Sequence, residues 1–395
     1  MYNGKTVVLG VTGSIAAYKA ADLASKLTQA GVNVDVVMTE SASKFVTPLT
    51  FRSLTHRPVF TDLFKESSDW NIEHVALAER ADVVVIAPAT ANTIAKTAHG
   101  FADDLLSCIV LATVVPTLVA PAMNARMYEN PITQDNLAKL RERGFSIIEP
   151  AQGYLACGES GSGRLADIED IMGALFEVLG RNDDLSGKRI VVTAGGTQEP
   201  IDPVRCITNH SSGKMGYALA QAARDRGSKV TLVTAPTALS IPAAIEVIKV
   251  QTAIQMQEAV LQATDTADAL IMAAAVADYR PSFSADRKIK KGSTSLSLEL
   301  SKNPDILSGV RGNLIKVGFA AESDDLKKNA LSKLRAKNLD IIVANDITIP
   351  ESTFGADTNK VVIIEREGQV EELPLMPKSQ VAHKILDKVR DRLGT

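Results

Sequence analysis

Lys5-Thr-Val-Val-Leu-Gly10 reads as a buried strand, and Gly13-Ser14 just beyond it opens the helical pattern Ile15 to Gln29, which Gly31 stops. Outward from this unit, strand-like runs follow at Val32–Val37, Val83–Ala87, Thr117–Ala120 and Phe145–Ile148. Helical stretches lie between them, and Ile168 to Leu179 reads as a closing helix. Strands alternating with helices imply a mostly parallel sheet covered on both faces. The polar stretch Arg181-Asn-Asp-Asp-Leu-Ser-Gly-Lys188 breaks the apolar periodicity, so domains are expected at 1–183 and 184–395. A second series opens at Arg189-Ile-Val-Val-Thr-Ala-Gly-Gly196. It continues through a helix near Met215–Arg226 and strands at Lys229–Val233, Ala269–Ala273 and Ile315–Phe319. A helix near Asp324–Lys337, a strand at Asp340–Ala344 and a last helix near Lys378–Arg392 complete it. The fold class is α/β, with two doubly wound, mostly parallel-sheet domains, the second Rossmann-like.

Composition narrows the function. The 395 residues are 45% hydrophobic, enough for two sizeable cores, and the net charge of −3 argues against general attraction to nucleic acid or anionic membrane. No apolar run has the length needed to span a bilayer. The strand pattern begins almost at the N-terminus, so no signal peptide is expected. Three cysteines, Cys108, Cys157 and Cys206, are odd in number and far apart, which suggests free thiols and a cytoplasmic protein. No Cys/His cluster has structural-zinc spacing.

The turns after the strands carry the chemistry. Ligands of open α/β sheets bind at the carboxyl ends of strands. Gly10-Val-Thr-Gly-Ser-Ile-Ala16 offers backbone N–H groups and the Ser14 hydroxyl at a helix start, which suits a phosphate. It lacks the three spaced glycines of a dinucleotide fingerprint, so a single phosphate fits better. Thr39-Glu-Ser41 can add hydroxyl contacts, and Pro88-Ala-Thr-Ala-Asn92 has small residues that admit a flat ring. Any one of these alone is ordinary strand-to-helix connection chemistry; three together favour a mononucleotide site. Pro121-Ala-Met-Asn-Ala-Arg-Met127 sets Met123 and Asn124 just past another strand, and Asn124 can read a carboxylate or an amide. Cys157 lies in a glycine-rich stretch, Gly153 to Gly163, that can fold over a ligand. A thiol is protonated at neutral pH and can give a proton to a carbanion-like centre. In the second half, Gly195, Gly196 and Arg205 can meet a phosphate or carboxylate, and Thr208-Asn-His-Ser-Ser-Gly-Lys-Met-Gly216 resembles a phosphate loop only loosely.

The first half resembles the flavin-dependent cysteine decarboxylases, through Gly13-Ser14-Ile15-Ala16, Pro88-Ala-Thr-Ala-Asn-Thr93, Ala102-Asp-Asp-Leu-Leu106, Pro121-Ala-Met-Asn124 and Cys157. The resemblance implies FMN near Gly13, Ser14, Thr39, Ser41 and Thr90, at a subunit interface. It makes His74, otherwise a lone histidine, a catalytic base or hydrogen-bonding group. It gives Asn124 the substrate carboxylate, Met123 the wall of its pocket, and Cys157 the proton for the enethiolate carbon. A flavin serves here because oxidising the cysteinyl CH₂–SH to a thioaldehyde gives the electrons of the departing CO₂ a sink. Where the family motif commonly has a further aromatic, often tryptophan, Tyr128 follows Met127.

The second half resembles the phosphopantothenate–cysteine ligases of coenzyme A synthesis. The matching motifs run in order: Gly195–Arg205, Asn209–Gly216, Ala273–Tyr279, Lys288–Lys291, Lys302–Ile306, Gly318–Glu322 and Lys337–Asp340. The implied reaction joins 4′-phosphopantothenate to cysteine through an acyl-cytidylate, with CTP as co-substrate and Mg²⁺ offsetting triphosphate charge. Asn209 would hold the acyl-nucleotide, Arg205 the substrate, and Lys288 would stabilise phosphate charge. Asp278, Pro304, Asp305, Ile306, Leu307, Phe319, Lys333 and Lys337 would contact the nucleotide. The family further implies a homo-oligomer; a dodecamer would satisfy both decarboxylase trimers and ligase dimers. Against this stand a regulatory or binding flavoprotein of the same fold, and two unrelated nucleotide-binding modules.

Overall fold

Strands form where the chain carries unbroken β-branched and aliphatic runs, because a parallel sheet is buried on both faces. In the computed structural model, which describes residues 2, 4–64, 73–154, 158, 160–290, 296–322, 326–346 and 355–394, the first such run is Thr6–Val11 (β1). Asn33–Met38 (β2), Val59–Phe60 (β3), Val83–Ala89 (β4), Thr117–Pro121 (β5) and Ser146–Ile147 (β6) join it in one parallel sheet ordered β3-β2-β1-β4-β5-β6. Alternate residues of one strand feed opposite cores. Val7, Leu9 and Val11 pack with the helices Ala17–Gln29 and Ile168–Gly180, whereas Val8 packs with Leu106, Ile109 and Leu137 on the other face. Ala151–Tyr154 (β7) and Ser160–Arg164 (β8) form an antiparallel hairpin from the glycine-rich stretch. Cys157, which falls between the two strands in sequence, lies outside the described residues.

The chain divides into two compact units, Met1–Leu179 and Gly180–Thr395. The second contains Arg189–Ala194 (β9), Gln198–Pro200 (β10), Cys206–Thr208 (β11), Lys229–Thr234 (β12), Glu246–Lys249 (β13), Ala269–Met272 (β14), Tyr279–Pro281 (β15), Leu300–Lys302 (β16), Ile315–Glu322 (β17) and Ile341–Asp346 (β18). Its main sheet runs β13-β12-β9-β14-β17-β18 in parallel, then adds Val361–Glu365 and Val370–Glu372 antiparallel at the edge. This edge hairpin, like β13, goes beyond the sequence expectation, because short edge strands lack a two-faced apolar run. Ile190 and Val192 face one core and Val191 the other, so this sheet is also covered on both sides. Helix Lys378–Leu393 packs against helix Lys214–Asp225. It is anchored by Arg226, whose side chain is 3% exposed and pairs with Asp184 at 2.5 Å and Asp387 at 2.9 Å.

Candidate functional site

Each unit has a large cavity at the carboxyl ends of its parallel strands. In the first, the parallel register brings the turns after β1, β2, β4 and β5 to a common rim. They enclose about 1040 Å³, and the lining includes Gly13, Ser14, Thr39, Ser41, Thr90, Met123 and Asn124. Buried Thr12 ties two of these turns together: its Oγ1 donates to Pro88 O at 2.7 Å and accepts the Thr90 N–H at 3.1 Å. The cavity hydroxyls also cap the chain locally. Ser14 Oγ accepts from Ala16 N–H, Thr39 Oγ1 from Ala42 N–H and Thr90 Oγ1 from Thr93 N–H. A hydroxyl that accepts a backbone N–H still has its own proton to donate. The donor set therefore fits a phosphate ester. The fixed charges do not select for one: Lys19, Lys96 and Arg164 on the lining are matched by Glu40, Asp103 and Asp104. Lys96 lies 2.8 Å from Asp103 and 3.0 Å from Asp104, and these carboxylates raise its pKa.

Asn124 caps a short helix, its Oδ1 accepting the Arg126 N–H at 2.9 Å, which fixes the amide so that Nδ2 is its donor end. The hairpin closes over this segment. Met123 N–H donates to Gly163 O at 2.9 Å, and both residues line the cavity. Tyr128 is turned away from the lining: its hydroxyl donates to Glu149 Oε2 at 2.8 Å, which satisfies the group that distinguishes it from tryptophan. His74 lies in helix Glu73–Arg80 and is not among the residues that line the cavity of its own chain.

The second cavity, of about 720 Å³, gathers Asn209, Asp278, Pro304, Asp305, Ile306, Leu307, Phe319, Lys333 and Lys337 from five separate segments. Asn209 Nδ2 donates to Val276 O at 3.0 Å and so joins the loop after β11 to the loop after β14. Asn303, 6% exposed, holds that second loop from the other side, with Nδ2 donating to Ala277 O and its N–H to Asp278 O, both at 2.8 Å. Lys337 lies 3.4 Å from Asp305 across the rim.

Arg205 and Lys288 are not on the cavity lining. The Arg205 guanidinium is instead bound to Asp202, at 3.0 Å through Nε and 2.5 Å through a terminal nitrogen, and to Ile289 O at 3.1 Å. Arg205 and backbone N–H groups of Val204, Ile289 and Arg205 hold the Asp202 carboxyl far below the usual carboxylate range. Arg205 thus anchors the segment that carries Lys288, rather than presenting a bare cation. Gly195 and Gly196 also serve the chain itself: a Cβ on either would lie 2.7 Å from a backbone oxygen, of Ala235 and Asn209 respectively.

The lining also contains residues that sequence reading did not single out, among them Lys214, Asn303 and Lys378. Lys214 sits inside the Thr208–Gly216 motif, a visible signal; Lys378 is the first residue of a distant helix and gives none. Among the described residues, no group of three or more His, Cys, Asp or Glu side chains is arranged to hold a metal ion, and no helix is long and apolar enough to cross a membrane.

Comparison with known proteins agrees with this two-part architecture. Residues 1–180 match the flavoprotein family, and residues 185–393 match the DNA/pantothenate metabolism flavoprotein C-terminal domain. The chain is 47% identical to the coenzyme A biosynthesis bifunctional protein CoaBC of Bacillus subtilis, over 98% of this chain and 97% of that one. It is 44% identical to the same-named protein of Vibrio parahaemolyticus, over 98% of each, and 42% identical to that of Escherichia coli K12, over 98% and 97%. With both halves matched in order and nearly the full length aligned, the chain belongs to the family of bifunctional coenzyme A biosynthesis enzymes.

Proposed function

We propose that the second unit ligates cysteine to 4′-phosphopantothenate with CTP, and that the first unit decarboxylates the product, 4′-phosphopantothenoylcysteine, to 4′-phosphopantetheine. The observation that carries this reading is the pair of strand-end cavities, each lined by residues of its own half's motifs. In the second unit, the substrate carboxylate attacks the α-phosphorus of CTP, and the bond to the β-phosphate breaks to release pyrophosphate. The cysteine amine then attacks the acyl carbon, loses a proton, and CMP departs. Asn209, Asp278, Lys333 and Lys337 would position the nucleotide and its acyl derivative, Mg²⁺ would accompany the triphosphate, and Lys288 would act from the segment that Arg205 anchors.

In the first unit, FMN when bound supplies a two-electron acceptor that takes hydride from the thiol-bearing carbon and returns it. The flavoprotein match and the hydroxyl donors of Ser14, Thr39 and Thr90 support that cofactor. The Asn124 amide would donate to the substrate carboxylate, Met123 would wall its pocket, and the Cys157 thiol would protonate the carbon that loses CO₂. His74 would reach the site from a neighbouring copy, since it does not line its own chain's cavity. Such sharing accords with a homo-oligomer; a dodecamer of decarboxylase trimers and ligase dimers meets both symmetries. A cytoplasmic location goes with this reading.

Mass spectrometry of the purified protein with phosphopantothenate, cysteine, CTP and Mg²⁺ tests it. Wild type should release pyrophosphate, CMP and CO₂ and accumulate 4′-phosphopantetheine. Cys157→Ser should still make phosphopantothenoylcysteine but no phosphopantetheine. Absence of CTP-dependent ligation by wild type would overturn the ligase half, and full phosphopantetheine output from the variant would remove Cys157 as proton donor.

A further inference from the structure

The register between β1 and β4 runs from Val7 opposite Val83 to Gly10 opposite Ile86. Beyond that pair, Pro88 has no N–H with which to extend a ladder. Thr12 supplies the connection instead. Its Oγ1 donates to Pro88 O at 2.7 Å and accepts the Thr90 N–H at 3.1 Å, from residues 76 and 78 positions further along the chain. Thr12 is 1% exposed, so water does not compete for either bond. A threonine hydroxyl has one proton to give, and here that proton and an oxygen lone pair are both committed to the neighbouring turn.

This hydroxyl spans two turns with different tasks. On the β1 side, Thr12 O accepts the Ser14 N–H at 2.9 Å, and Gly13 packs so closely on the turn after β2 that a Cβ would lie 2.4 Å from Ser41 Cβ. These are the turns whose N–H and hydroxyl groups suit a phosphate. On the β4 side, Thr90 caps helix Ala91–His99, and Ala89 O accepts the Ala122 N–H at 3.0 Å, next to Met123 and Asn124. This is the turn whose small residues admit a flat ring. Thr12 therefore joins the phosphate end of the first cavity to its ring end.

We infer that Thr12 is a positioning residue that sets the spacing between these two ends, and with it the preference for a phosphorylated flavin over riboflavin. The identity of the ligand rests on the FMN reading of the first unit; the tie between the turns does not. The phosphate and ring of FMN are joined by one short chain, so both reach their partners only when the turns stand at the matching separation. A protein that holds this separation beforehand spares the ligand the cost of ordering the turns. Without the hydroxyl, the buried Pro88 carbonyl and the Thr90 N–H lose that partner. The turns then relax in the empty protein, and FMN must draw them back. Riboflavin engages the ring end alone and escapes most of that cost.

The test is equilibrium titration of FMN and of riboflavin, followed by flavin fluorescence, into flavin-stripped full-length wild type, Thr12→Val and Thr12→Ser. Thr12→Val keeps the size of the side chain and removes its hydroxyl. FMN should bind this variant about tenfold more weakly and riboflavin less than about threefold more weakly, so the preference for FMN falls. Thr12→Ser keeps the hydroxyl and should restore the preference. A wild-type circular dichroism spectrum checks that the variant is folded, and Thr12→Ala takes its place if Thr12→Val is not. Equal weakening of both flavins overturns the inference, because it would confine Thr12 to the ring end. Unchanged FMN affinity in a folded variant overturns it as well. If wild type binds neither flavin, the cofactor reading fails and the inference falls with it. If wild type prefers FMN and the variant keeps that preference, the inference alone fails.

Discussion

Met123 and Gly163 clasp each other through their backbones: the Met123 N–H donates to Gly163 O at 2.9 Å, and a Cβ on Gly163 would lie 2.5 Å from Met123 O. Gly163 also has φ +125°, a conformation that side chains resist. One residue follows β5 and the other belongs to the β7–β8 hairpin, so this clasp sets the hairpin over the cavity beside Asn124.

Replacing Gly163 by alanine should therefore open the clasp. Strain and the collision with Met123 O together predict a local cost of about 1–3 kcal/mol. CO₂ release from 4′-phosphopantothenoylcysteine should fall at least tenfold, while pyrophosphate release in the ligase assay stays at the wild-type rate. Equal activity of variant and wild type in both assays would show that hairpin placement does not matter to decarboxylation.

Asn303 makes a second prediction. Its amide holds the loop carrying Asp278 from behind, and its Oδ1 accepts from Arg280 at 3.0 Å. Asn303→Ala leaves the buried Ala277 carbonyl without its donor, at a cost of about 1–3 kcal/mol. The KM for CTP should rise more than kcat falls. Asn303→Asp keeps an acceptor for Arg280 but loses the donor to Ala277 O, so it should resemble the alanine variant in nucleotide KM. Wild-type KM values in both would remove Asn303 as a positioning residue.

Acid stability gives a third. Burial, with the nearby Arg226, pulls the His383 pKa down from 6.5 to about 4. Its buried Nδ1 has no hydrogen-bond partner among the described residues. The folded state thus prefers neutral imidazole. This contribution is fully present above the unfolded value near 6.5 and is lost as pH falls toward 4, by on the order of 2–3 kcal/mol. Thermal unfolding of the second unit should weaken over that window, and His383→Leu should flatten the profile there. A wild-type profile in the variant would assign the acid sensitivity to other groups.

Much of the architecture is legible in the chain. β1, β2, β4, β5, β9, β12 and β14 fall on apolar runs that mark two-faced burial, and the loops after β1, β2, β4, β5 and β14 hold cavity residues. The sites are legible to a lesser degree. Ser14, Thr39 and Thr90 stand at strand ends as expected, yet their hydroxyls also cap backbone N–H groups. Arg205 looks like a cation available to substrate, but the bond to buried Asp202 uses its guanidinium, and no local pattern reveals that pairing. Lys378 is invisible as a site residue because it begins a helix more than a hundred residues from the phosphate-loop-like motif.

What the sequence by itself determined is local in origin: strand and helix identity, the position of the turns, and the glycine-rich stretch that becomes a hairpin. Hydrophobic periodicity and turn chemistry act over a few residues, so they can be read in order along the chain. What the tertiary structure alone decided is which side chains share a cavity and which are spent on one another. Sheet order, helix packing and buried ion pairs couple residues far apart in sequence. They bring Lys214 and Lys378 onto one cavity lining, join Asn209 to Val276, and tie Arg205 to Asp202, because burial leaves a charge or amide stable only where its partner is also brought in.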